Sequence, residues 1–144
     1  MDYTNKVRII TQQDLIESGC MDFKAAAEVT EKSFISYKQG KTLFPDKISV
    51  VFDEVTQDRI NCLPAAMLDD KVYGVKWVSV FPQNPHKFNK PNLSAVSILS
   101  ELETGFPIAF MSTTMCSNIR TACVGAVAAK YLAKRNSKTI GFIG

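Results

Sequence analysis

Apolar residues recur along this chain with two different periods. After "VRII" at residues 7–10, which reads as a short strand, they fall at Phe23, Ala27 and Phe34, with Ile35 or Tyr37 beside the last. That is the three-to-four-residue spacing of an amphipathic helix. It predicts a helix over 22–38 stopped by Gly40, preceded by a shorter helical stretch between Thr11 as N-cap and Gly19 as stop. The period then shortens. "KISVVFDE", "RINCLPAAML", "VYGVKWVSVF", "SAVSILSE" and "FPIAFMST" read as strands, separated by "VTQD", "DDK", the long "PQNPHKFNKPNL" and "ETG". The alanine-rich "TMCSNIRTACVGAVAAKYLAKR" returns to helix, with Lys130, Lys134 and Arg135 near the end where the helix dipole favours cations. A final apolar run, "TIGFIG", reads as a strand bounded by turn residues.

The predicted order is helix, antiparallel meander, long helix and one parallel-type strand. The fold class is therefore α/β, with an α+β-like meander domain carrying helices on one side. Residues 1–114 are expected to form that domain. Residues 115–144 are expected to be a connecting helix and the entry to a second, doubly wound domain.

Composition narrows the chemistry. The 144 residues are 46% hydrophobic and 22% charged, ordinary for a globular protein. No apolar stretch approaches the ~18 residues of a membrane span, and the N-terminus lacks the pattern of a secretory signal, so a cytoplasmic location is expected. A net charge of +3 suits an anionic ligand and is too small and scattered for nucleic acid. Cysteines at 20, 62, 116 and 123 form no CxxC, and His86 is the one histidine. This pattern excludes a zinc site, a disulfide framework and a histidine-dependent hydrolase. The cysteines are expected to be reduced core residues, with Cys116 and Cys123 on roughly one helix face.

Basic residues in apolar surroundings are the candidates for function. Strand alternation puts Lys76 on the side of Val72, Gly74, Val78 and Val80, while Tyr73, Val75, Trp77, Ser79 and Phe81 occupy the other. Arg120 heads a helical stripe continued by Val124, Val127 and Tyr131, and Lys47 opens a strand. A buried cation is costly unless an anion meets it. Lys76 and Arg120 therefore either converge on an anionic ligand, snorkel at the sheet edge, or pair with a carboxylate from elsewhere. The proline-rich loop after Phe81 reads equally well as a lid or as a stiff connector.

The stretches "GVKWVSVFPQNPHKFN", "ETGFPIAFM" and "IRTACVGAVAAKYLAKRNSKTIGFIG" resemble the ornithine cyclodeaminase/mu-crystallin family. The loop wording "NPHKFN" is similar to that of the family's opine-type dehydrogenases. The resemblance implies an NAD(P)-dependent oxidoreductase or cyclodeaminase that removes hydride from the Cα of an amino acid, or reduces a ketimine. It implies that Lys76 and Arg120 hold the substrate carboxylate, helped by Lys47 where relatives commonly carry arginine, and that Lys76 also acts catalytically. Ser94, Arg120, Thr121 and Gly144 would meet the cofactor, Gly144 as the first glycine of the dinucleotide turn. On this resemblance the chain is expected to be the substrate-binding and dimerising front part of a longer homodimeric enzyme, retaining no NAD(H) or NADP(H) and no dehydrogenase activity by itself. The alternative is a cofactor-free amino-acid-binding or dimerisation module.

Overall fold

A computed structural model describes Thr4 and residues 6–143. Local sequence explains the first helices. Strand β1 (Arg8–Ile10) runs into α1 (Gln12–Glu17), where the Thr11 hydroxyl accepts from the Asp14 amide and Asp14 accepts from the Thr11 amide in a capping box. Helix α2 (Phe23–Lys38) starts at Asp22, whose carboxylate accepts from the Lys24 and Ala25 amides, both at 3.0 Å. The turns that stop α1 and α2 place Gly19 at φ +92° and Gly40 at φ +71°, where a side chain would be strained.

The meander forms as the alternation predicts. Strands β2 (Thr42–Leu43), β3 (Ile48–Asp53), β4 (Asp58–Met67), β5 (Val72–Val80), β6 (Leu93–Glu101) and β7 (Pro107–Ser112) join β1 in a seven-stranded sheet of order β1-β7-β6-β5-β4-β2. Strand β3 shares the far side of β4 with β2. All pairs are antiparallel except β1 on β7. Helix α4 (Thr114–Leu132) then packs on α2, and Lys130 and Tyr131 both bond to Glu31 across the pair.

Cross-strand register sorts the side chains into two faces. Lys76 stands opposite Leu63 on β4 and Ser97 on β6, and Val78 stands opposite Asn61 and Ala95. This face meets α4: the Ala95 amide donates to Thr114 Oγ1 and Ser97 bonds to Thr113. The buried apolar residues Val78, Ala95 and Ala109 lie here, with Ile119, Cys123 and Val127 of α4 completing the core. The opposite face carries Ile9, Ile48, Val50, Trp77, Ile98 and Phe110, all exposed.

Three details depart from the sequence expectation. The long proline-bearing connector contains a short helix, α3 (Asn84–Phe88). Pro85 stands in its first turn, where a missing N–H costs nothing, and Asn89 closes it in the left-handed region at φ 51°. Strand β2 is only two residues long and gives no periodic signal. The strand expected at 139–143 is not formed: these residues join no ladder and remain exposed, Phe142 at 86%. A strand requires a neighbour to satisfy its backbone, and no described residue provides one there.

Candidate functional site

Lys47, Lys76 and Arg120 line one cleft of about 470 Å³, together with Phe44, Asp46, Leu63 and Pro64. They come from the segment before β3, the middle of β5 and the second turn of α4. The cleft opens where α4 passes over the helix-facing side of the sheet. Lys76 is half-buried, and its ammonium donates to Ser117 Oγ at 3.1 Å. Burial, and after it the neighbouring Arg120 charge, pushes the Lys76 pKa below the ordinary lysine value.

Arg120 is exposed rather than buried. The apolar stripe begins beyond it, at half-buried Val124 and buried Val127, while Tyr131 is exposed again. Helix α4 presents Ser117, Cys123 and Val127 inward, which leaves Arg120 at the rim of the cleft. Among the described residues no ion pair reaches Lys47, Lys76 or Arg120. Asp46 shares the cleft without closing on any of the three. The pairing alternative is therefore not realised here, and three basic side chains share one largely apolar cleft with Asp46.

Other candidates are placed differently. Thr121 follows Arg120 on the exposed side of α4, and its hydroxyl donates to the Ser117 carbonyl at 2.7 Å. Ser94 is exposed at the start of β6, opposite Ser79, on the sheet face away from Lys76. Gly144 lies outside the described residues. The structure thus joins Lys47, Lys76, Arg120 and, through Ser117, Thr121, and leaves Ser94 apart.

Ser117 and Asp46 escaped the sequence reading. A serine three residues before an arginine on a helix is unremarkable until the strand beneath it is known to carry lysine. Cys116 and Cys123, seven residues apart on α4, lie on one side of it as expected, both toward the start of α2. Cys123 is buried with its thiol toward the Phe23 carbonyl, and Cys116 lines a cavity of about 360 Å³ with Cys20 and Ala25. Burial, then the Cys20 thiol, pushes the Cys116 pKa up. Among the described residues no three His, Cys, Asp or Glu side chains group as a metal site, and no helix is long and apolar enough to cross a membrane.

Comparison with known proteins gives this cleft a context. A sequence profile described as the ornithine cyclodeaminase/mu-crystallin family matches residues 6–144. An alanine dehydrogenase of Archaeoglobus fulgidus is 38% identical over 136 residues, which is 94% of this chain and 40% of that protein. Among solved structures, an archaeal alanine dehydrogenase dimer with bound NAD superposes with a TM-score of 0.80 and 34% identity, covering 91% of this chain and 38% of that one. The Thermococcus litoralis Δ1-pyrroline-2-carboxylate reductase in complex with NADH and L-proline superposes with a TM-score of 0.82 and 30% identity, covering 90% and 39%. The chain thus spans about two fifths of these relatives. By the extent of the profile match and the shared fold, this chain belongs to the ornithine cyclodeaminase/mu-crystallin family.

Proposed function

We propose that this chain is the amino-acid-binding part of an NAD(P)-dependent oxidoreductase or cyclodeaminase, and that its cationic cleft receives the substrate carboxylate. The observation that carries this reading is the convergence of Lys47, Lys76 and Arg120 on one opening, with no carboxylate of the described residues paired to any of them. A bound carboxylate would offset the mutual repulsion of Lys76 and Arg120, with guanidinium as the fork and ammonium as the point charge. Lys47 in place of a fork-bearing arginine supplies charge without a second bidentate contact.

When bound, NAD(P)+ would supply the hydride acceptor for the Cα–H of an amino acid, whose amine would become an imine with release of a proton; ketimine reduction would be the reverse. Lys76 would hold the carboxylate so that Cα meets the nicotinamide, and its lowered pKa suits it to pass a proton at Nζ. Of the candidate cofactor contacts, Arg120 fits a phosphate. Thr121 fits only after its hydroxyl leaves the Ser117 carbonyl, because it now offers the phosphate no proton. Residues 1–114 would bind substrate and dimerise, and 115–144 would connect to the dinucleotide-binding part.

The uncovered sheet face supports a second reading that is compatible with the first. Exposed apolar patches of this extent mark interaction surfaces, and a second copy of the chain is the proposed occupant. A cofactor-free binding and dimerisation module would share that face and the cleft, without hydride transfer.

Calorimetric titration with L-alanine, L-proline and L-ornithine, against the corresponding amines lacking the carboxylate, tests the binding proposal. Heat is expected with the carboxylates alone and should vanish in Lys76→Met. Equal binding of the amines, or unchanged binding in the variant, would overturn it.

A further inference from the structure

Lysine ends a flexible four-carbon stem, and holding its ammonium in one place costs side-chain entropy unless a fixed partner receives it. Here the partner is Ser117, 7% exposed, whose Oγ accepts from Lys76 Nζ at 3.1 Å. The serine itself is held at both ends. Its amide donates to the Thr113 carbonyl at 2.9 Å, and its carbonyl accepts from the Thr121 hydroxyl at 2.7 Å. Thr113, also 7% exposed, bonds through Oγ1 to Ser97 Oγ at 2.9 Å. Ser97 is the residue directly opposite Lys76 on β6. Lys76, Ser97, Thr113 and Ser117 therefore close a ring of contacts through β5, β6 and the first turns of α4. The Thr113 and Ser117 hydroxyls, from the N-cap and first turn of α4, lie one helical turn apart and belong to buried residues, so the ring fixes the helix over the lysine as well as the lysine under the helix.

We propose that Ser117 is a positioning residue: its hydroxyl holds the Lys76 ammonium toward the Arg120 side of the cleft. The carboxylate that Lys76 would meet rests on the function proposed above, but the Ser117–Lys76 contact does not. An acceptor aimed at an ammonium favours the charged lysine, and so opposes the burial and the Arg120 charge that disfavour it.

The test follows Lys76 directly, by NMR titration of the chain carrying 13C-labelled lysine, with the Lys76 signal assigned from Lys76→Met. In Ser117→Ala the Lys76 midpoint is expected to move further down, and affinity for L-alanine to fall about tenfold, the effect of one charge-assisted hydrogen bond. Ser117→Thr, which keeps the hydroxyl, should restore both. Ser117→Cys, with similar volume and a weak acceptor, should behave like the alanine variant and separates the hydrogen bond from packing. An unchanged Lys76 midpoint in Ser117→Ala and Ser117→Cys would overturn the positioning role. If the unsubstituted chain binds no carboxylate, the proposed function fails, and the Lys76 titration still decides the part played by Ser117.

Discussion

The two faces of the sheet are built from the same strands and the same kinds of residue, yet they have opposite fates. On one, Val78, Ala95 and Ala109 are buried under helices, at 5%, 4% and 6% exposure. On the other, Ile9, Ile48 and Trp77 remain 71%, 65% and 48% exposed. Hydrophobicity does not separate them. Both faces carry polar residues: Ser79, Ser94 and Ser100 on the open one, and on the covered one Lys76, Ser97 and Asn61, each with a hydrogen-bonding partner within or above the sheet. What differs is the cover: helices lie over one face, while large apolar side chains of the other stay exposed. A covered polar group must be satisfied, which makes the helix-facing side the specific one. The open side has no such demand and suits broad apolar contact.

The largest expected effect would break the covered face from within. A Cβ on Gly74 would stand 2.1 Å from the Ile98 carbonyl oxygen, a backbone atom that cannot swing away. Gly74→Ala is expected to cost about 3 kcal/mol of stability, read as a fall in the denaturant midpoint, and an unchanged midpoint would show that the β5–β6 spacing is soft. Next, Trp77→Lys should halve the mass seen by light scattering if a second copy covers the open face, and should leave L-alanine binding intact. A dimer that survives would shift the interface elsewhere.

The pH prediction sharpens the account of Lys76. Its pKa is lowered in the folded chain, so at low pH the protonated side chain destabilises the fold in full. As pH rises through the lowered value the folded state releases its proton first, and stability should rise until the unfolded lysine also titrates near 10.5. Denaturant midpoints across that window should show the rise, and Lys76→Met should remove its share of it. Carboxylate binding should take up protons in the same window, detectable as buffer-dependent heats.

The smallest expected effect concerns a helix end rather than a face. Asp22→Ala removes the acceptor for two amides at the start of α2 and should cost about 1 kcal/mol, with the cleft unaffected. Loss of L-alanine binding in that variant would mean that α2 supports the cleft more closely than its contacts indicate.

By itself the sequence determined what depends on a few neighbouring residues. Thr11, Gly19 and Gly40 sufficed to delimit the first helices, because caps and left-handed turns are local hydrogen-bond and steric problems. Alternation sufficed to place Lys76 on the side of Val78, because successive strand residues must point to opposite faces. Only the tertiary structure decided which face the helices would cover, that β1 pairs in parallel with β7, that Arg120 stands at a rim, and that residues 139–143 find no strand partner among the described residues. Ser117 belongs to the same class, since it lies 41 positions from the lysine it holds. Contacts across such separations arise from how strands and helices stack to bury the core, and no short window of residues contains that choice.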